Sequence, residues 1–390
     1  MSSAFRCAPR WVAATILGTL AACSSTPLQP PADEMPARPA ATATPAATAE
    51  PRAAGPATIE RPRSRWIGAT WAELPGWTGD RAAEFWPAFL RSCERPLPGW
   101  LAACANAKKA AAGSDAAVRA WLEQHLQPYR VESPERDATG LATGYFEPLV
   151  EASRLSRPGF RVGLHAPPPD LTSRRPYWTR QQLDSLPAAQ KSVRGSEIAW
   201  VRDKLDALLL QIQGSGRLAF AAAPGAAAQT VRIAFAGTND QPYRSIGRWL
   251  IDEGELRPGE ASWPAIRAWA RQHPQRIDEM LWQNPRVVFF REEPLPDPGV
   301  GPKGAQGVPL IPGRSIAVDP LSVPYGTPVW LDTTEPLSAK PLRRLTVAQD
   351  TGTAITGAVR ADYFWGWGAD AEAQAGRMKQ PLRMWVLWPR

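Results

Sequence analysis

Residues 348–366 read AQDTGTAITGAVRADYFWG, and the fold turns on how this stretch is read. Two aspartates, Asp350 and Asp362, sit among Gly, Ala, Thr and aromatic residues. Thr351-Gly352 directly after Asp350 favours a turn. Asp362 is flanked by Ala361 and by Tyr363, Phe364 and Trp365. A carboxyl group among aromatic rings loses hydration, which raises its pKa. A carboxylic acid that keeps its proton near neutral pH can protonate a leaving group. Aromatic rings beside such an acid suit a sugar, whose C–H faces stack on them. The window has a second reading, a β-hairpin with a capping aspartate over an aromatic core. By itself it does not choose between the two.

Working outward, the C-terminal part of the chain predicts strands at 287–290, 315–318, 327–331, 345–348 and 384–387. Ahead of it, residues 243–284 carry apolar side chains at helical spacing, through Ile246, Trp249, Leu250, Ile266, Trp269 and Leu281. From 140 onward short β-like runs dominate, at 143–148, 160–163, 210–213, 218–220 and 230–235. A helix is predicted over 201–209, and Thr179 with Gln182 forms a capping-box pattern for another. Residues from about 66 to 130 look helical, with Asp80 and Ser114 as predicted N-caps. Many short strands with Gly and Pro punctuation suggest a small barrel or sandwich.

The front of the chain reads differently. Arg6 and Arg10 precede an apolar run from residue 11 to 22 that is too short to span a bilayer and has the shape of a secretory signal. Small residues just before Cys23 resemble a bacterial lipobox. This predicts cleavage after residue 22 and lipidation of Cys23, and Ser24 resembles lipoproteins sent to the outer membrane. An ordinary signal peptide with a chance cysteine is the alternative. The lipid would tether the protein through a membrane anchor at the periplasmic face of the outer membrane. The segment 23–59 is Pro, Ala and Thr with almost no large apolar residue, so it reads as a linker. Of the four cysteines, Cys93 and Cys104 remain, as a disulfide stapling a helical hairpin or as two buried thiols.

The formal net charge is +8. The arginines are scattered and no basic helix stands out, so nucleic acid is not the predicted partner. An anionic envelope polymer, a membrane surface or plain solvation fits better. No metal and no cofactor are predicted. The three histidines are far apart, no cysteine pair has ligand spacing, and no Gly-x-Ser-x-Gly elbow occurs. GVGPKG at 299–304 matches a dinucleotide fingerprint, but Pro302 forbids the helix that such a site needs. QGSGR at 213–217 reads as a backbone approach to a ligand or as a tight hairpin. Ser245 reads as a helix cap, and Asp319 alone reads as a strand-end aspartate.

Six runs occur in one order: GYFEP at 144–148, IQGSG at 212–216, YRSIG at 243–247, RSIAVD at 314–319, QDTG at 349–352 and RADYFWG at 360–366. Together they resemble the membrane-bound lytic murein transglycosylase A family, from about residue 77 to the C-terminus. The resemblance implies a mainly β fold with flanking helices. In that family a double-psi β-barrel domain, related to barwin-like endoglucanases, carries an inserted second β-barrel domain, with a glycan groove between them. Here the first domain would be 60–140 plus 286–390, with its three-aspartate part at about 305–390, and the insert 141–285.

The three aspartates would be Asp319, Asp350 and Asp362. The resemblance makes Asp362 the catalytic acid and Asp350 its near neighbour, which would raise the pKa of Asp362 or orient it. Gln213, Ser215, Arg244, Tyr145, Tyr363, Trp365 and Asp319 become candidate contacts to peptidoglycan glycan strands; for the aromatics, Trp367 included, core packing is the alternative. The implied reaction cleaves the β-1,4 bond between N-acetylmuramic acid and N-acetylglucosamine without water. A peptidoglycan-binding lipoprotein without activity and a hydrolytic glycosidase are the rival readings. Proteins of a cell-wall remodelling complex are candidate partners that no motif identifies. The chain departs from the family's pattern at Thr353 and Thr356, where many relatives carry Gly and Lys; the departure bears on groove contacts and not on the acid.

Overall fold

Two β-sheets organise the computed structural model, which describes residues 57–110, 112–222 and 228–390. The expected signal at 1–22, the lipidated Cys23 and the linker as far as residue 56 lie outside the described residues. Strands β1 (Thr58–Glu60), β2 (Arg65–Gly68), β3 (Leu126–Glu132) and β4 (Gly140–Glu147) come first. Six follow: β5 (Leu149–Ser153), β6 (Val162–His165), β7 (Glu197–Val201), β8 (Ser215–Phe220), β9 (Gln229–Thr238) and β10 (Val288–Glu293). The last five are β11 (Ser315–Val318), β12 (Pro328–Thr334), β13 (Pro341–Asp350), β14 (Arg360–Trp367) and β15 (Lys379–Pro389).

The first four and last five strands form one nine-stranded sheet, in the order β1-β2-β3-β15-β12-β13-β11-β14-β4. Strand β15 also pairs with β4, so β15, β12, β13, β11, β14 and β4 close a ring. Within the ring β11 runs parallel to β13, and β14 parallel to β4. The middle six strands form the second sheet, in the order β10-β9-β8-β5-β7-β6. By strand pairing, the chain changes sheet at Pro148 and again after Glu293.

Helices flank both sheets. Between β2 and β3 lie α1 (Trp86–Ser92), α2 (Leu101–Ala107) and α3 (Asp115–His125). Phe85, Phe89, Trp100, Trp121 and Leu122 pack there on Trp330, Leu345 and Trp385 of the closed sheet. A disulfide joins Cys93 to Cys104, so the stapled reading is the one realised. Ser114 caps α3 as expected, accepting from the amide of Ala117.

Around the second sheet come α4 (Arg180–Ser185), α5 (Pro187–Val193), α6 (Lys204–Gln213), α7 (Ile246–Asp252), α8 (Trp263–Gln272) and α9 (Ile277–Trp282). Helix α6 uses two faces. Ala207 and Leu210 pack on Leu218, Ile233 and Phe290 of the sheet, while Leu205 and Leu208 meet Ile246, Leu250, Trp269 and Met280. Each such buried leucine contributes about 2 kcal/mol. Helix α10 (Ala369–Ala375) joins β14 to β15.

Three expectations are corrected. Residues 210–213 are the last turn of α6, not a strand. Asp203 caps the helix start, and Gly214 ends it in a left-handed conformation (φ 76°) that suits glycine. The 66–130 segment is not helical throughout, since β2 and β3 occupy its ends. Asp80 does not start a helix. It is buried, pairs with Arg314 at 2.6 and 3.2 Å and accepts from the amide of Leu345. A buried guanidinium competes for that carboxylate more strongly than exposed helix amides do.

The chain crosses between sheets beside a buried ion cluster. Glu147, at the end of β4, is fully buried between Arg217 of β8 (2.8 Å) and Arg232 of β9 (2.5 Å). The same arginines donate to the carbonyls of Pro298 and Val300, on the segment that returns to the closed sheet.

Candidate active site

Strands β13 and β14 do not form a hairpin, because β11 lies between them. Ala317 of β11 is the register partner of Asp350 on one side and of Asp362 on the other. Beyond β14, Thr143 of β4 is opposite Asp362, and Tyr145 is opposite Phe364. Side chains directly opposite across a sheet share a face, as do residues two apart along a strand. The two aspartates, Thr143 and Tyr145 therefore converge on one face of the closed sheet.

Hydrogen bonds fix this cluster. The Thr143 hydroxyl donates to Asp362 Oδ1 at 2.5 Å. Tyr145 donates its phenol to Asp350 Oδ2 at 3.0 Å. The amides of Ala305 and Thr351 both donate to Asp350 Oδ1 at 2.9 Å. Burial pushes the Asp350 carboxyl up to about 6; its three donors pull the other way, and the nearby Asp362 adds to the rise. Burial also raises the Asp362 carboxyl, against the Thr143 hydrogen bond and the charge of Arg360. Tyr145 is raised well above the ordinary tyrosine range by burial and by both carboxylates. The site thus holds two carboxyl groups that keep protons more readily than solvated ones.

The other expected site residues divide. Gln213, at the end of α6, accepts from the amide of Phe146, next to Tyr145. Ser215 opens β8 and is half-buried. Arg244 precedes α7 with an exposed side chain, and Ser245 caps that helix. Asp319 is not poised for a ligand: it is buried, pairs with Arg63 at 3.0 Å and accepts from the amides of Leu321 and Gly357. Tyr363 is not available to a sugar either. Strand alternation turns it into the core, where its hydroxyl donates to the carbonyl of Gly313 at 2.9 Å. Trp365 follows Tyr363 on that face, edge-on to it at 4.9 Å and against Gly144. The aromatic ring beside Asp362 on its own face is Phe364, in contact with Tyr145 at 5.1 Å. Trp367 lies under the guanidinium of Arg217.

Two residues of the cluster had no role in the sequence reading. Thr143 and Arg360 stand within runs quoted above, but only the parallel pairing of β4 with β14 brings them together. Arg360 Nη2 donates to Thr143 Oγ1 at 2.8 Å. The GVGPKG run at 299–304 forms a loop with no helix, and its neighbour Ala305 supplies an amide to Asp350. Among the described residues no group of His, Cys, Asp and Glu is arranged to hold a metal ion, and no helix is long and apolar enough to cross a membrane.

Residues 141–291 match the model of the MltA specific insert domain, and residues 314–388 that of the 3D domain. The membrane-bound lytic murein transglycosylase A of Escherichia coli K12 is 31% identical over 268 residues, covering 67% of this chain and 69% of that protein. The chain belongs to the membrane-bound lytic murein transglycosylase A family. Solved structures agree. The lytic transglycosylase LtgG of Burkholderia pseudomallei is 43% identical, with a TM-score of 0.59 over 86% of this chain and 98% of that one. The MltA of E. coli with bound chitohexaose is 25% identical, with a TM-score of 0.65 over 86% and 95%. Both domain models of the family bear on the site: β4 with Thr143 and Tyr145 falls in the first, and Asp350 and Asp362 fall in the second.

Proposed function

We infer that this protein is a peptidoglycan lytic transglycosylase with Asp362 as its general acid and base. The observation that carries the reading is the Asp362 carboxyl, raised by burial and held at one oxygen by Thr143, in a chain of the murein transglycosylase family. Protonated Asp362 gives its proton to the glycosidic oxygen between N-acetylmuramic acid and N-acetylglucosamine. The C1–O4 bond breaks, and the muramic C1 gains oxocarbenium character. Asp362, now a carboxylate, takes the proton from the 6-hydroxyl of the same sugar. That oxygen bonds to C1 and closes a 1,6-anhydro ring, leaving Asp362 protonated again. No water is consumed. The attacking oxygen is tethered to the reacting carbon, an arrangement with effective molarities on the order of 10⁵–10⁸ M.

A hydrolase needs a second carboxylate free to activate water or attack C1. Asp350 is held by three donors, which favours a supporting role for it over that of a free base. Gln213, beside Tyr145, and Ser215 and Arg244 on the second sheet's side are the proposed glycan contacts. The closed ring with its two parallel pairings supports a double-psi β-barrel for the catalytic domain, with the second sheet as the inserted domain. A lipid on Cys23 tethers the enzyme to the periplasmic face of the outer membrane.

Digestion of purified murein followed by mass spectrometry tests the reading. Anhydro-muropeptides, one water lighter than hydrolysis products, are the expected result, and Asp362→Asn is expected to bind murein and release nothing. Reducing ends, binding without release, or turnover by Asp362→Asn would overturn it.

A further inference from the structure

We propose that Thr143 and Arg360 are positioning residues that fix which oxygen of Asp362 carries the acid proton. The inference rests on the catalytic role given to Asp362 above and adds the means by which its proton is aimed. A guanidinium only donates hydrogen bonds, whereas a hydroxyl has one proton and two lone pairs. Arg360 Nη2 donates to Thr143 Oγ1, so that oxygen is the acceptor of the pair. The single Thr143 proton is then directed to Asp362 Oδ1. With Oδ1 already accepting, the carboxylic proton of Asp362 resides on Oδ2. Among the described residues no hydrogen bond is made to Oδ2, which leaves it for the glycosidic oxygen and then for the 6-hydroxyl.

The guanidinium is itself fixed. Arg360 Nη1 donates to the carbonyls of Ala361 at 2.7 Å and Leu141 at 3.4 Å, one on its own strand and one on β4. Thr143 is locked by the register that sets it opposite Asp362. The interposed hydroxyl matters electrostatically. Among the described ion pairs none joins Arg360 to Asp362 directly. A direct charge-assisted pair would stabilise the carboxylate and strip the proton before catalysis. Through one hydroxyl the positive charge acts at a distance. Once Asp362 has given up its proton, the Thr143 bond becomes charge-assisted and strengthens, so the relay favours the conjugate base that the second step requires.

The groups facing Asp362 are few. Arg360 comes from its own strand, Thr143 and Tyr145 from β4, and Asp350 from β13; β11 (Ser315–Val318) brings no ionisable side chain. Lys379 of β15, the other register partner of Thr143, is exposed, and Asp370 and Glu372 lie on α10. Thr143 and Arg360 are therefore the groups that hold the Asp362 carboxyl below where burial alone would put it.

The test compares the purified wild-type protein with Thr143→Val, Thr143→Ser and Arg360→Gln. Rates of anhydro-muropeptide release are measured from pH 4 to 9, and the Asp362 carboxyl is titrated by ¹³C NMR. Loss of a hydrogen bond to a charged group corresponds to a drop in kcat of about 10- to 100-fold for Thr143→Val, with KM little changed. An acid is active while protonated, so the alkaline limb of that variant moves to higher pH. Thr143→Ser restores kcat and the limb, and Arg360→Gln moves the limb the same way with a smaller loss. A valine variant with wild-type kcat and limb, or a serine variant as impaired as valine, would overturn the proposal. If Thr143→Val fails to fold, Arg360→Gln decides, and an unmoved limb there refutes the relay. If the wild type releases no anhydro products, the catalytic reading fails. The titration still judges the relay, which requires the Asp362 pKa to rise in Arg360→Gln.

Discussion

Tyr145 and Asp350 stand 205 residues apart in sequence, yet the Tyr145 phenol donates to Asp350 Oδ2 at 3.0 Å. The bond spans the closed sheet from β4 to β13, past β14 and β11, and ties the strand of Asp350 to the strand that leads to the second sheet. It also lowers the Asp350 carboxyl against the larger effect of burial. Tyr145→Phe is therefore expected to raise Asp350 above about 6 and to cost about 1–2 kcal/mol of stability. Carboxyl ¹³C titration and urea unfolding measure the two effects. An unmoved Asp350 would show that the phenol does not act on it.

Asp350 also gives the fold a pH dependence of known sign. Its folded pKa, about 6, lies above the unfolded value near 4. The native state binds that proton more tightly than the unfolded chain does. The contribution to stability is full below about pH 4 and is lost as the pH rises through about 6. Asp350→Asn removes this titration. Relative to wild type, the variant should gain stability between pH 4 and 7, by at most about 3 kcal/mol because the carboxyl keeps a solvent edge. Unfolding curves at several pH values check it. A stability difference that stays flat across that range would contradict the raised pKa.

What was legible in the sequence was local. Strand β11 was read with its observed bounds, and β12, β13 and β15 were each found in part, because alternating or continuous apolar runs mark buried strands; β14 entered only through the hairpin reading of the 348–366 window. The caps at Ser114, Thr179 and Ser245 were legible because a cap lies within three residues of its partner. The aspartate pair was legible because both stand in one short run. The relay of Arg360 and Thr143 was not, since it depends on pairing β4 with β14 across 219 residues. Asp80 misled for the same reason. As a sequence it resembles a cap, and its partner Arg314 lies 234 residues away. For Tyr363 and Trp365 sequence left sugar stacking and core packing both open, because their neighbour is Asp362; strand alternation turns them to the face opposite it.

Glu147 leads to a prediction about how the two sheets are held. Its carboxylate is fully buried and neutralises part of the charge of two buried arginines, Arg217 and Arg232. Replacing one member of a buried ion cluster leaves charge without compensation, which is strongly destabilising. Glu147→Gln keeps the shape, removes the charge and is expected to cost about 3–5 kcal/mol in urea unfolding. Hydrogen exchange should speed up in the returning segment that carries Pro298 and Val300, since both carbonyls are held by the same arginines. Unchanged stability would mean that Arg217 and Arg232 are adequately solvated without Glu147.

Gly144 joins packing to catalysis. It sits on β4 between Thr143 and Tyr145, the two residues that hold Asp362 and Asp350. A Cβ built there would lie 2.7 Å from Trp365 Nε1 and 2.9 Å from the Cα of Ala375. Neither neighbour moves freely, because Trp365 packs against Tyr363 and Ala375 ends α10 on the strand. Gly144→Ala therefore pushes β4 away from its neighbours. Overpacking of this kind costs about 1–3 kcal/mol. The displacement acts on both hydrogen bonds at once, since Thr143 and Tyr145 are its chain neighbours. Murein release by Gly144→Ala should fall by more than tenfold, roughly what an ångström of misplacement costs. The melting temperature should drop only modestly. A variant that melts lower but turns over at the wild-type rate would show that β4 can shift without disturbing the two aspartates.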